Sequence, residues 1–207
     1  MSKKVLVLLA DGFEEVEAVT PIDYLKRAEI FVTAASISNS TTVTGARAKL
    51  QIIADTTLDA LIAEGDNKIN TYCTPTGGRL ELSPSACCFD AIVLPGGMPG
   101  ASNLAACERL SLLLIEMAAS GKLICAICAS PAIVLAPLGL LSGKRFTCYP
   151  GMEEKVTGAQ WSEDRVVIDG NIITSRAAGT TGEFSIAIIN YLLGEPTAKK
   201  ISDSVLL

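Results

Sequence analysis

One cysteine and one glutamate stand where a parallel sheet usually does its chemistry. Cys128 closes the apolar run Leu123-Ile124-Cys125-Ala126-Ile127, and small residues, Ala129 and Ser130, follow it before Pro131. Strand, tight turn and helix are expected there, with Ala129 to Ala136 as a buried helix. A thiol at that junction sits at the carboxyl edge of a sheet, where ligands bind in open α/β folds. The positive end of a helix dipole beside it is expected to favour thiolate, the reactive form of cysteine. The N–H groups of Ala129 and Ser130 are expected to point inward, ready to hold an oxyanion or a sulfinate.

Glu17 is the second reactive candidate, in the cluster Glu14-Glu15-Val16-Glu17. Glu15 reads as a solvated residue of a first helical turn. Glu17 differs, because Val16, Ala18 and Val19 surround it. Pro21 has no N–H to offer the carbonyl of residue 17, so the helix is expected to loosen at Glu17. A carboxyl partly buried at the sheet rim has a raised pKa. Neutral, it donates a hydrogen bond to a thiolate; ionised, it repels one. A third candidate is Pro95-Gly96-Gly97-Met98-Pro99-Gly100. It lacks the dinucleotide spacing G-x-G-x-x-G. Its expected role is close backbone approach, with the Gly97 N–H free to face a ligand. Arg27 and Arg47 are weaker candidates for binding anions.

What is missing narrows the chemistry further. The chain has no histidine, which excludes an imidazole base and the Ser/His and Cys/His triads within it. Cys125 and Cys128 form a C-x-x-C, but an extended strand sends residues three apart to opposite faces, so a dithiol pair is not expected. No second C-x-x-C is present to complete a zinc site. Seven cysteines is an odd count, better read as reduced thiols than as a disulfide framework.

The elements that position these residues follow from hydrophobic patterning. Of 207 residues, 49% are hydrophobic, which suits one domain over 1–207 whose sheet is buried on both faces and which has an apolar dimer interface. The formal net charge of −5 gives no footprint for nucleic acid. No apolar run approaches the length of a membrane span, and a cytoplasmic location is expected. Core strands are expected at Lys4 to Leu9, Ile30 to Ile37, Phe89 to Leu94 and Leu123 to Ile127. Later strands are expected at Arg145 to Cys148, Arg165 to Ile168 and Asn171 to Ser175. Helices are expected at Glu14 to Ala28, Thr57 to Ala63, Asn103 to Ser120 and Glu183 to Leu193, the last opened by a Thr180 cap, with a short helix after Pro196. Alternating strands and helices predict an α/β fold with a mostly parallel central sheet. Residues 65–88 break the rhythm and read as a surface excursion with a hairpin around Thr76-Gly77-Gly78.

Taken together, these segments resemble the ThiJ/PfpI superfamily, in particular the branch of the parkinsonism-associated deglycase and its bacterial relatives. The resemblance rests on Val7 through Glu17, on Val93-Leu94-Pro95-Gly96-Gly97, and on Ala126-Ile127-Cys128-Ala129-Ser130-Pro131. Thr174-Ser175-Arg176 and Gly179 through Phe184 add to it. It implies a flavodoxin-like three-layer sandwich, usually a homodimer. It implies a nucleophilic, easily oxidised Cys128, a protonated Glu17 beside it, and backbone N–H groups of Gly97 and Ala129 completing the pocket. Glu14, Arg27, Arg47 and Tyr149 are candidate substrate or anion contacts. The implied activity is that of a glyoxalase (lyase) or deglycase (hydrolase) acting on reactive dicarbonyls such as methylglyoxal without glutathione, metal or organic cofactor. The alternative is a redox-sensing stress protein or chaperone whose signal is oxidation of Cys128 to sulfinate. Two departures from the family stand out. Tyr149 occupies the place where many relatives carry a histidine before a proline, and a phenol is a poor base at neutral pH. Residues 65–88 look like an insertion.

Overall fold

Four apolar runs build the centre of the molecule. The computed structural model describes residues 2–63, 70–73, 79–82 and 88–207. The first half comprises β1 (Lys4–Leu9), α1 (Glu15–Arg27), β2 (Phe31–Ser36), β3 (Thr42–Thr44), β4 (Gln51–Ile53), β5 (Thr56–Thr57), α2 (Leu58–Ala63), β6 (Asn70–Cys73) and β7 (Arg79–Leu82). The second comprises β8 (Ala91–Leu94), α3 (Gly100–Ala105), α4 (Glu108–Ala119), β9 (Leu123–Ile127), β10 (Arg145–Phe146), β11 (Gln160–Trp161), β12 (Val166–Asp169), β13 (Ile172–Ser175), α5 (Thr181–Leu193) and α6 (Glu195–Val205).

Seven strands form the central sheet in the order β12-β13-β9-β8-β1-β2-β5. All pairs are parallel except β12 with β13. Alternation along β1 shows why its run is continuously apolar. Val5, Val7 and Leu9 join one core cluster with Ala18 and Leu25 of α1 and Phe184 and Ile188 of α5. Leu6 and Leu8 join the opposite cluster with Leu110, Leu113, Leu114 and Met117 of α4. A strand covered on both faces carries no polar side. The result is a flavodoxin-like sandwich of helices, sheet and helices, as the resemblance implies.

Several local expectations are corrected. The helix expected over Asn103 to Ser120 is two helices. Leu104 and Leu110 are both buried, yet six residues along a straight helix would set them about 120° apart. Cys107, extended at φ −84° and ψ 101°, breaks the helix and lets both turn inward. The helix expected over Ala129 to Ala136 is a single π-type turn, Pro131–Leu135, closed by the Ala136 N–H donating to the Pro131 carbonyl at 3.0 Å. Conversely, α1 runs unbroken through Pro21. The strand expected over Arg145 to Cys148 ends at Phe146 and pairs with β11 outside the main sheet. Thr180 does not cap α5. Its Oγ1 lies 2.7 Å from the Ser175 hydroxyl and accepts the Ala177 N–H at 3.1 Å, knitting the β13–α5 turn together. Within 65–88, β6 and β7 pair antiparallel, as a hairpin requires. Thr76-Gly77-Gly78, expected at its tip, lies outside the described residues.

Candidate active site

The carboxyl ends of three neighbouring strands, β1, β8 and β9, converge on one spot, and each hands the chain to a turn. The turns are stitched to one another. The Glu14 N–H donates to the Gly96 carbonyl at 3.0 Å, and the Gly100 N–H to the Gly12 carbonyl at 3.0 Å. The buried Ser130 hydroxyl donates to the Pro95 carbonyl at 2.6 Å. The Cys128 N–H donates to Ser175 at 3.0 Å, and the Tyr149 N–H to the Cys128 carbonyl at 2.8 Å.

Cys128 itself is left-handed, at φ +63°. For a residue with a side chain that conformation is strained, and it persists only where surrounding bonds fix it. It lifts the half-buried thiol out of the strand and into the cleft. It also removes the premise of the opposite-face argument for the C-x-x-C pair, since Cys128 is not extended. Cys125 is fully buried within β9 and both cysteines are free, so no dithiol bond links them.

Glu17, only 1% exposed, lies beside the thiol. Its Oε2 accepts the Gly96 N–H at 2.9 Å, and its Oε1 has no hydrogen-bond partner of ordinary geometry among the described residues. The helix start that places it is capped by Glu14, whose Oε2 accepts the Glu17 N–H at 2.8 Å. Burial, and then the charge of Glu14, push the Glu17 carboxyl up to about 7, against the pull of the Cys128 thiol and the Gly96 amide. At neutral pH the carboxyl is therefore poised to take or give a proton. Cys128 is pushed up to about 12, by burial first and then by the Glu17 charge, while the Gly97 and Ala129 amides pull it down. This corrects the expectation that position alone favours thiolate. The π-type turn after Cys128 is too short to supply a substantial dipole, and the neighbouring carboxylate opposes a second negative charge. The pair holds one negative charge readily and two only with difficulty.

Two glycines leave room for this pair. A methyl group on Gly96 would stand 2.6 Å from the Cys128 Cβ and 2.7 Å from Glu17 Oε2. Gly97, at φ +87°, packs against the backbone of residues 12–14 and turns its amide toward the sulfur. Gly96→Ala is expected to destabilise the protein by about 1–3 kcal/mol through overpacking. Denaturant unfolding tests this, and an unchanged midpoint would contradict the tight approach.

A cavity of about 420 Å³ opens over the thiol, lined by Glu14, Glu17, Arg47, Gly97, Ala129 and Tyr149, among others. Of the eight residues proposed around Cys128, the fully buried Ser130 does not line the pocket, and six others are brought together with the thiol. Arg27 is not. It pairs with Asp23 at 2.7 Å near the end of α1 and borders a separate surface hollow with Lys3 and Lys200. Glu15 is not the solvated residue expected either. It is buried and bonded to the backbone of Arg47 and Ala48. Sequence reasoning missed Ala46, Met152, Ala177 and Ala178 in the pocket wall, while Met98 falls within the glycine turn it singled out. Small and apolar loop residues carry no chemical signature and no periodicity, so nothing in the sequence marked them.

Fold and site together define a flavodoxin-like α/β protein with a cysteine at the strand-to-turn elbow and a buried carboxyl beside it. The chain belongs to the DJ-1/PfpI family, whose model matches residues 3–191. It is 35% identical over 209 residues to protein dj-1beta of Drosophila melanogaster, covering 100% of this chain and 98% of that protein. It is 41% identical over 204 residues to DJ-1 homolog B of Arabidopsis thaliana, covering 99% of this chain but only 41% of the plant protein. The chain thus spans less than half the length of that relative. Among solved structures, the oxidized DJ-1 of Toxoplasma gondii superposes with a TM-score of 0.85 at 34% identity, covering 99% of this chain and 98% of the other. The glutathione-independent glyoxalase DJR-1.2 of Caenorhabditis elegans is 43% identical over 108 residues, 51% of this chain and 56% of that protein.

Proposed function

We propose that the protein is a cofactor-independent enzyme that converts small dicarbonyls such as methylglyoxal to hydroxy acids, with Cys128 as nucleophile and Glu17 as proton relay. The observation that carries this reading is the buried Glu17 carboxyl, poised near neutrality, beside a strained cysteine in an open pocket. As the sulfur attacks the aldehyde carbon, its proton passes to the Glu17 carboxylate. The Gly97 and Ala129 amides stabilise the oxyanion, which then takes the proton and becomes a hemithioacetal. Glu17 next removes the proton from the former aldehyde carbon, the hydroxyl proton passes to the neighbouring ketone oxygen to give an enediol, and Glu17 returns the carbon-bound proton to that adjacent carbon, leaving a lactyl thioester. Water hydrolyses the thioester, releasing lactate and restoring the thiol. Tyr149, exposed at the pocket mouth, takes no part in proton transfer and contributes a wall and a hydrogen-bond donor. Lactate formation from methylglyoxal without glutathione tests the reading, and turnover that survives in Cys128→Ala would end it. The likeness to the C. elegans glyoxalase supports the same activity; a deglycase reaction would use the same nucleophile. Val16 and Val19, exposed on the helix turn that carries Glu17, offer a homodimer an apolar surface next to the site. The free cysteines Cys88, Cys107, Cys125, Cys128 and Cys148 suit a reducing, cytoplasmic location.

A second role, redox sensing, is favoured by one observation: the Gly97 and Ala129 amides already face the sulfur, and such donors hold a sulfinate. Mild peroxide is expected to add two oxygens to Cys128 while Cys125, sealed in β9, stays unmodified in mass spectra. Oxidation of Cys125 first, or of both together, would count against it.

A further inference from the structure

Arg47 is an odd member of the charge pattern. Arg47 lines the Cys128 pocket, is exposed, and its guanidinium makes no hydrogen bond or ion pair among the described residues. By contrast, Arg27, Arg109, Arg145 and Arg165 each pair with a carboxylate, and Arg176 donates to the Glu163 carbonyl.

The loop that carries Arg47 is held by Glu15. This carboxylate is 6% exposed, and it is spent wholly on one loop. Its Oε1 accepts the Ala48 N–H at 2.7 Å and the Arg47 N–H at 3.1 Å, the latter shared with Oε2 at 3.2 Å. Burial opposes the charge, but the backbone N–H groups outweigh it and hold the carboxyl below its ordinary range. Gly45 makes the approach possible, since a methyl group there would overlap the carboxylate. The loop is strapped to the turn before α1 from its other end as well. The Ala46 N–H donates to the Phe13 carbonyl at 2.7 Å, and the Gly12 N–H to the Thr44 carbonyl at 2.8 Å. The two residues so fixed, Ala46 and Arg47, form part of the pocket wall.

We propose that Glu15 is a positioning residue for the Cys128 pocket: it clamps residues 45–48 so that Arg47 presents its guanidinium to anionic groups approaching the sulfur. This deepens the proposed function, because the hydroxy acid released carries a carboxylate, and it rests on Cys128 being the reactive centre. Glu15 touches no substrate and acts only through the loop.

Charge-selective alkylation tests the proposal without relying on turnover. The Cys128 sulfur displaces iodide from iodoacetate, an anion, or from iodoacetamide, which is neutral. The ratio of the two rates reports anion recruitment, and the iodoacetamide rate alone reports thiol reactivity and folding. Arg47→Ala is expected to lower the ratio about tenfold, the loss of one charge-assisted contact. Glu15→Gln is expected to lower it about threefold or more, because the charge-assisted bonds to the Arg47 and Ala48 N–H groups become neutral ones and the Arg47 N–H loses one of its two acceptors. Arg47→Lys is expected to restore part of the ratio. In the double variant Glu15→Gln/Arg47→Ala, the ratio should equal that of Arg47→Ala alone.

The sign separates the proposal from simple electrostatics. Removing the Glu15 charge without moving the loop would make iodoacetate react faster. A ratio in Glu15→Gln equal to or above wild type overturns the proposal, as does a further fall in the double variant. The expected falls in ratio with no lactate formation in wild type would leave this inference standing and defeat the proposed reaction. If Cys128 resists both reagents, the proposed reaction falls, and hydrogen exchange at the Arg47 and Ala48 amides decides. Faster exchange in Glu15→Gln supports the clamp, and unchanged exchange overturns it.

Discussion

Cys128→Ala is expected to form no lactate from methylglyoxal above background, a loss of at least about a thousandfold. The size follows from the role. Without the sulfur no hemithioacetal forms, and the remaining groups have nothing to hold at the reacting carbon. Folding should survive, because Cys128 is only half-buried and its left-handed backbone is fixed by bonds from its own N–H to Ser175 and from the Tyr149 N–H to its carbonyl. A normal unfolding midpoint together with lost turnover assigns the loss to chemistry. Residual turnover within about tenfold of wild type would mean that another group carries the reaction.

Glu17→Gln should cost about 10²–10⁴ in kcat/KM, the range of a positioned acid–base group. Glutamine keeps the shape and can still accept the Gly96 N–H, so the side chain should stay in place. What it loses is the capacity to carry a proton between adjacent carbons. The same change removes the negative charge that pushes the Cys128 thiol up. Activity and thiol acidity are therefore expected to move in opposite directions: turnover falls while the sulfur becomes easier to ionise. A variant in which both fall together would point to a collapsed pocket instead. Wild-type activity should also decline below about pH 7, where the Glu17 carboxyl fills with its proton and can no longer accept the one from sulfur.

Much of this architecture was legible before any coordinates. The run Leu123 to Ile127 matches β9 residue for residue, because a strand buried on both faces leaves an uninterrupted apolar signature. Cys128 and Glu17 were marked by contrast with their surroundings, a thiol at the end of such a strand and a carboxyl among aliphatic neighbours. The errors share a cause. Glu15 looks solvated in sequence, and only the path of a loop some thirty residues later shows that it is buried as Glu17 is. The break at Cys107 depends on Leu104 and Leu110 facing one core, which a single helical stripe does not reveal. The acidity of Cys128 depends on which charges lie near the sulfur in space. Sequence placed a dipole there and left open which way the adjacent carboxylate would act.

The central claim is that the thiol and the carboxyl share one proton and titrate together. The rate of Cys128 alkylation by iodoacetamide, followed against pH in wild type and in Glu17→Gln, tests that sharing most directly. Wild type should show a partial rise near pH 7 and a second rise toward the upper limit of the range; Glu17→Gln should lose the first step and show one titration below the wild-type upper one. Superimposable curves would show that sulfur and carboxyl ionise without regard to each other, and the relay described here would have no physical basis.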